Sequence, residues 1–141
     1  MTSKASVSPF LIAIAAGLAS AGLYASLIGA TMVAMPLFLL APLPTMIAAL
    51  GFGGWPAAVA GVVAIATIEI GLGTAAAAAF AVSMVLPSLL FGTLALRSAP
   101  VDPADPEGPR RWYPIGALLA VMALTVAVVT VLGALAIGYD A

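Results

Sequence analysis

The chain has 141 residues, of which 65% are hydrophobic and 6% charged, with a formal net charge of −1 and a mean hydropathy of +1.28. A soluble globular domain carries about a quarter of its residues charged, so this composition excludes one and marks a polytopic membrane protein. Cysteine and histidine are absent, which excludes disulfides, thiolate metal sites and the commonest general base, and no basic patch exists to hold a nucleic acid.

A spanning helix needs about 20 apolar residues, because the hydrocarbon core is about 30 Å thick and each residue rises about 1.5 Å. Five segments meet that length. The expected fold is therefore an all-α integral membrane protein, a single transmembrane domain over residues 1–141. The first span covers residues 10–28. Its start, MTSKASVSPFLIAIAAGLASA, has a basic head, an apolar run and an Ala19-Ser20-Ala21 ending, which also fits a cleavable signal peptide. The apolar run continues past Ala21, which suits a retained span.

The second span, residues 32–50, contains LFLLAPLPTMIAAL with Pro42 and Pro44 in its middle and Pro36 just before. Proline removes a backbone donor and its ring clashes with the preceding turn. In lipid the freed carbonyls must find partners in protein or water. The helix is thus expected to be kinked or broken at Pro42 and Pro44, either as a packing kink or as the lining of a binding site. A Gly51-Phe52-Gly53-Gly54 turn follows. It has no preceding strand and no Gly-Lys-Ser/Thr ending, so it is an interhelical turn and no phosphate loop. The third span runs from Trp55-Pro56 to residue 70, the fourth covers residues 74–96, and the fifth residues 112–138.

Between the last two spans lies a loop over residues 97–111, with Pro100, Pro103, Pro106 and Pro109 at every third position. Polyproline II has three residues per turn, so these prolines predict an extended strut, a stiff linker or a docking strip. Lys4, Arg97, Arg110 and Arg111 are all the basic residues, and with five spans they fall on one side. The positive-inside rule makes that side cytoplasmic, which puts the N-terminus in the cytoplasm and the C-terminus outside. Trp55, Trp112 and Tyr113 fall at the same interface, where amphipathic rings are favoured.

Glu69 is the one ionisable residue expected inside the hydrocarbon, about 20 Å along the third helix. A carboxylate in a span is costly unless paired or wet, so it reads as a ligand or proton contact, or as a glutamate near enough to the surface to reach water. Tyr24, Thr31 and Thr67 are the hydroxyls considered as its partners. Small residues recur at four-residue spacing: Ala15 with Ala19, Ala13 with Gly17 and Ala21, Ala57 with Gly61, Gly116 with Ala120. Close backbone approach through small residues carries much of the packing in lipid. These faces serve either to dock another subunit or to pack the protein on itself. A serine or threonine nucleophile needs a base within reach, and the spans hold no histidine or lysine. No catalytic residue, cofactor or metal is expected.

Several stretches together resemble a known family: APLP (Ala41 to Pro44), Gly-Phe-Gly-Gly-Trp (Gly51 to Trp55), LPSLLFGTLALR (Leu86 to Arg97) and WYP (Trp112 to Pro114). The chain resembles the YybS-like family of bacterial inner-membrane proteins, which has no established activity and is distantly similar to the S components of energy-coupling-factor transporters. The resemblance implies an outward-opening pocket with Glu69 at a suitable depth, and Ala15 with Ala19 as a match to the S-component docking motif. S components have six spans, and this sequence supplies five. The reading is a non-enzymatic accessory subunit, surrounded by membrane lipid and packed on other bacterial inner-membrane subunits; the alternative is an S-component-like protein that binds or transports a small solute.

Overall fold

Ser8 opens the first helix, α1 (Pro9–Ala25): its hydroxyl accepts the Phe10 amide at 3.4 Å, and Pro9 occupies the first turn, where a missing amide costs nothing. The computed structural model describes residues 8–29, 31–102, 105 and 107–138. Lys4, Asp140, Pro103, Pro106 and the first residues of the signal-like segment lie outside the described residues. After α1, a 3₁₀ turn (Ser26–Gly29) leads to α2 (Ala34–Leu39) and α3 (Leu43–Phe52). Then come α4 (Gly54–Leu72), α5 (Thr74–Phe80), a π-helical turn (Ala81–Val85) and α6 (Leu86–Ala95). Two short strands, β1 (Ser98–Pro100) and β2 (Arg110–Trp112), precede α7 (Ile115–Ile137). Among the described residues, five helical segments are long and apolar enough to cross a membrane: Pro9–Gly29, Ala34–Phe52, Gly54–Leu72, Thr74–Ala95 and Ile115–Leu135. The protein is a helical, multi-pass membrane protein.

Among the described residues three glycines, Gly53, Gly73 and Gly138, end helices in a backbone region that other residues rarely adopt, and the first two make interhelical turns. Gly53 has φ 89° and Gly73 has φ 85°, and each donates its amide four residues back, to Ala49 and Glu69. These tight turns fold α4 against both α3 and α5. The most extensive seam runs between α1 and α4. Ala13, Gly17, Ser20 and Ala21 are buried on α1, and Ala57, Ala60, Gly61 and Ala64 on α4. A Cβ built on Gly17 would collide with the Ala60 carbonyl and Val63; one on Gly92 of α6 would collide with Ala49 of α3. This core is made of alanine and glycine with few large side chains, as expected where packing in lipid depends on backbone approach. An aromatic cluster joins Tyr24, Phe38 and Phe80, with Tyr24 4.9 Å edge-on to Phe80 and 5.4 Å from Phe38.

Three departures from the sequence reading have clear causes. The helical ladder is interrupted over Leu40–Pro42, but the freed carbonyls need neither water nor a cavity. In a regular helix Pro42 and Pro44 would have bonded Phe38 and Leu40. Those two carbonyls instead accept the amides of Ala41 (3.1 Å) and Leu43 (3.0 Å), three residues on. A tighter turn satisfies the backbone locally. The π turn in the fourth span is the second departure. Pro87 cannot donate to Ser83 and would clash with it in a regular helix; one wider turn, with the Leu86 amide reaching the Ala81 carbonyl, relieves this.

The third concerns the proline-rich loop, which is a hairpin and no strut. Ser98 pairs with Trp112, Ala99 with Arg111 and Pro100 with Arg110, antiparallel. The pairing extends through Tyr113 N–H to Arg97 O at 3.0 Å and Val101 N–H to Pro109 O at 2.9 Å. A polyproline strut over residues 98–111 would run about 40 Å, whereas α6 and α7 are packed neighbours whose ends must be joined.

Candidate functional site

The expected site residues separate into four places. Ala15 and Ala19 lie on the outer side of α1 and are exposed, the face opposite the α4 seam. Together with Ala16, Leu40, Leu43 and Pro44 they line an open apolar groove of about 490 Å³. The break in the second span forms the groove's other wall, because Ala41 turns inward to the core while Leu40 and Leu43 turn out. The structure thus brings Ala15, Ala19 and Pro44 together.

Gly61 does not join them. It is buried in α4, where an added Cβ would stand 2.5 Å from a Val85 methyl. Its small size serves packing within the protein, and so do Ala13, Gly17, Ala21 and Ala57. Gly116 lies in the first turn of α7 with nothing within 4 Å of a Cβ built there.

Glu69 is exposed near the end of α4 and faces out of the bundle. Its Oε1 accepts the Thr74 hydroxyl at 2.7 Å across the Gly73 turn. Two of the hydroxyls considered as its partners are otherwise engaged. Tyr24 packs on Phe38 and Phe80, and Thr67 donates to its own helix at Val63. Thr74 was legible only as the first residue of the next span; the sharp turn at Gly73 brings it back to the carboxylate.

Most remaining hydroxyls are turned onto their own helices. Thr45 donates to Pro42, Ser83 to Ala79, Ser88 to Met84, Thr93 to Leu89, Thr125 to Val121 and Thr130 to Val126. Such back-bonding hides a hydroxyl from lipid and leaves few polar groups to converge on a ligand. Ser20 differs: its Oγ is buried in α1 with no hydrogen-bond partner. Among the described residues no group of three acidic, histidine or cysteine side chains could hold a metal ion.

The fourth place is α7. No residue of its membrane-spanning window is buried. It meets the bundle through α6 and the π turn, where Val82, Leu86, Leu124, Val128 and Leu132 border a shallow cleft. Leu119, Val126, Val131 and Leu135 are all more than half exposed. Its mean apolarity is high on every side, as in a helix surrounded by lipid or by other helices.

The ends of these elements also sort into two faces. The start of α1 lies against the start of α4, with Pro9 and Phe10 beside Trp55 and Pro56. Gly54 lies against Thr93, near the end of α6, from which the hairpin continues. The far end of α1 lies against Ile68 and Gly71 of α4, next to Glu69. Glu69 and the arginine-bearing hairpin therefore occupy opposite ends of the bundle. No family model, no curated protein and no solved structure matches this chain.

Proposed function

We propose that the chain is a non-enzymatic accessory subunit that packs on a larger assembly in the bacterial inner membrane, with its N-terminus cytoplasmic. The observation that carries this reading is α7: a 23-residue apolar helix with none of its spanning window buried, attached to the bundle mainly through α6 and the adjoining π turn. The groove beside Ala15 and Ala19 offers a second outward surface of helix-packing character. The scarcity of free polar groups in the spans argues in the same direction, since a solute site needs several of them converging on one cavity.

The test is a pull-down of the tagged full chain from its native membrane in gentle detergent, with co-purifying chains identified by mass spectrometry. A stoichiometric membrane assembly is the expected result. Recovery of the chain alone, with α7 fully reactive to a lipid-soluble photo-probe in the native membrane, would sink the reading.

A second reading rests on Glu69. The Glu69–Thr74 pair is an exposed polar spot at the end opposite the hairpin, and it fits the S-component-like alternative, in which a small solute or a proton is handled there. Under the accessory reading Glu69→Gln leaves assembly and growth unchanged. A loss of solute uptake with assembly intact would instead favour the transport reading.

A further inference from the structure

Pairing in the hairpin does more than shorten a loop. Residues paired across an antiparallel ribbon share one face, and neighbours along a strand alternate. Ala99 pairs with Arg111, and Arg97 stands opposite Tyr113 through its carbonyl bond. Arg97, Arg111 and Tyr113 therefore share one face of the ribbon, and Arg110 points to the other. Arg97 and Arg111 are diagonal neighbours there, with Cα atoms about 7–8 Å apart in an ordinary ribbon. That spacing lets two guanidinium forks meet on one tetrahedral anion. The two arginines and Tyr113 line a cleft of about 330 Å³, which Trp112 of the ribbon's other face also borders.

Charge is also sorted along the hairpin. The stem carries Arg97, Arg110 and Arg111, while Asp102, Asp105 and Glu107 all lie in the turn beyond Pro100 and Arg110. The turn is folded on itself, with Asp105 N–H donating to Asp102 O at 3.1 Å and Gly108 N–H to Asp105 O at 3.2 Å. The Asp102 backbone is about five residues along the strand from Arg97, roughly 16 Å away at an ordinary strand rise. The stem follows directly from the last turn of α6 and leads into α7, so its depth is that of the membrane surface. Trp112 and Tyr113, rings suited to the headgroup layer, mark the same level.

We propose that this cleft binds the phosphodiester of an anionic phospholipid headgroup, held between Arg97 and Arg111 with Tyr113 beside it. The acidic turn then projects away from the bilayer, so the hairpin stands upright on the lipid surface with its basic end down. Arg110, on the other face of the ribbon, is outside the cleft.

The test uses the full-length protein purified in mild detergent. Native mass spectrometry measures retention of phosphatidylglycerol against phosphatidylcholine at equal concentration. The wild-type chain is expected to retain one phosphatidylglycerol in preference. A guanidinium at an anionic surface is worth about fivefold in affinity, so Arg97→Gln and Arg111→Gln should each weaken retention about fivefold and the double variant about 25-fold. Arg110→Gln should leave it unchanged. All three side chains are exposed, so the single variants stand even where the double variant fails to fold. Equal retention of the two lipids overturns the proposal. An equal loss in Arg110→Gln overturns it too, by reducing it to general charge attraction. Displacement of the lipid by millimolar inorganic phosphate would make the site one for free phosphate and overturn the lipid assignment.

Discussion

Gly17→Leu is expected to force α1 away from α4 and to unfold the protein in detergent, while Gly22→Leu on the same helix leaves it standing. The two glycines are five residues apart and identical in chemistry. A Cβ at Gly17 meets the Ala60 carbonyl and Val63, whereas a Cβ at Gly22 meets nothing within 4 Å. The carbonyl cannot rotate away as a side chain can. The whole helix must shift, and the seam it leaves includes Ala13, Ala21, Ala57 and Ala64. Overpacking a close-packed interior costs about 1–3 kcal/mol and sometimes more; here the obstacle is backbone, so the upper end applies. At Gly22 the exchange for leucine should instead gain a few tenths of a kcal/mol or more through helix propensity. Thermal unfolding followed by circular dichroism separates the two. Equal midpoints for both variants would mean that α1 and α4 do not approach as described.

Recoding the outward face of α7 should give a different outcome: an intact bundle that has lost its company. Leucine would replace the outward residues of α7, with Leu124, Thr125, Val128, Val129 and Leu132 kept, since these meet the bundle. Length, apolarity and topology survive, and only the pattern of large and small residues is erased, Gly116 and Gly133 among them. Because α1 to α6 make their contacts without α7, the thermal midpoint of the isolated chain should hardly move. Under the accessory-subunit proposal, recovery of partner chains should fall to background. Unchanged recovery would transfer the interface to the groove beside Ala15 and Ala19, where Ala19→Phe becomes the variant to measure.

The spans were legible because lipid leaves the backbone one simple option. The five expected segments and the five observed ones differ by a few residues at their ends, the fifth starting at Ile115 where Trp112 was expected. What the sequence hid were matters of local competition between proline and its surroundings. Pro42 and Pro44 pointed to a kink or break, but not to what the structure has there: a short interruption over Leu40–Pro42 bridged by 3₁₀ bonds that need no interior partner. Around Pro87 nothing in composition signalled a π turn, because the flanking residues are as apolar as the rest. In the loop, the three-residue proline period pointed to a strut, yet a two-stranded ribbon has only edges and can accept a proline wherever no amide is required. Of the small residues, spacing alone could not say which faced inward. Gly61 and Ala19 look alike in sequence; one abuts Val85 and the other lines the open groove.

The wide turn at Ala81–Val85 has a consequence for how this span can vary in length. The inward positions run Ala77, Phe80, Val85, Ser88, Phe91 and Gly92, so the step across the turn is five residues where three or four is usual. One surplus residue is absorbed there, and the two flanking helices keep a common phase. Removing a residue from within the turn, with Pro87 changed to alanine, would leave an ordinary helix with both halves still facing the core. The same deletion anywhere between Leu89 and Phe91 would turn the remainder by about 100° and carry Gly92 away from Ala49. The fourth span therefore has one stretch where its length and its proline are linked: a residue can leave the turn without loss of the fold only if Pro87 goes with it.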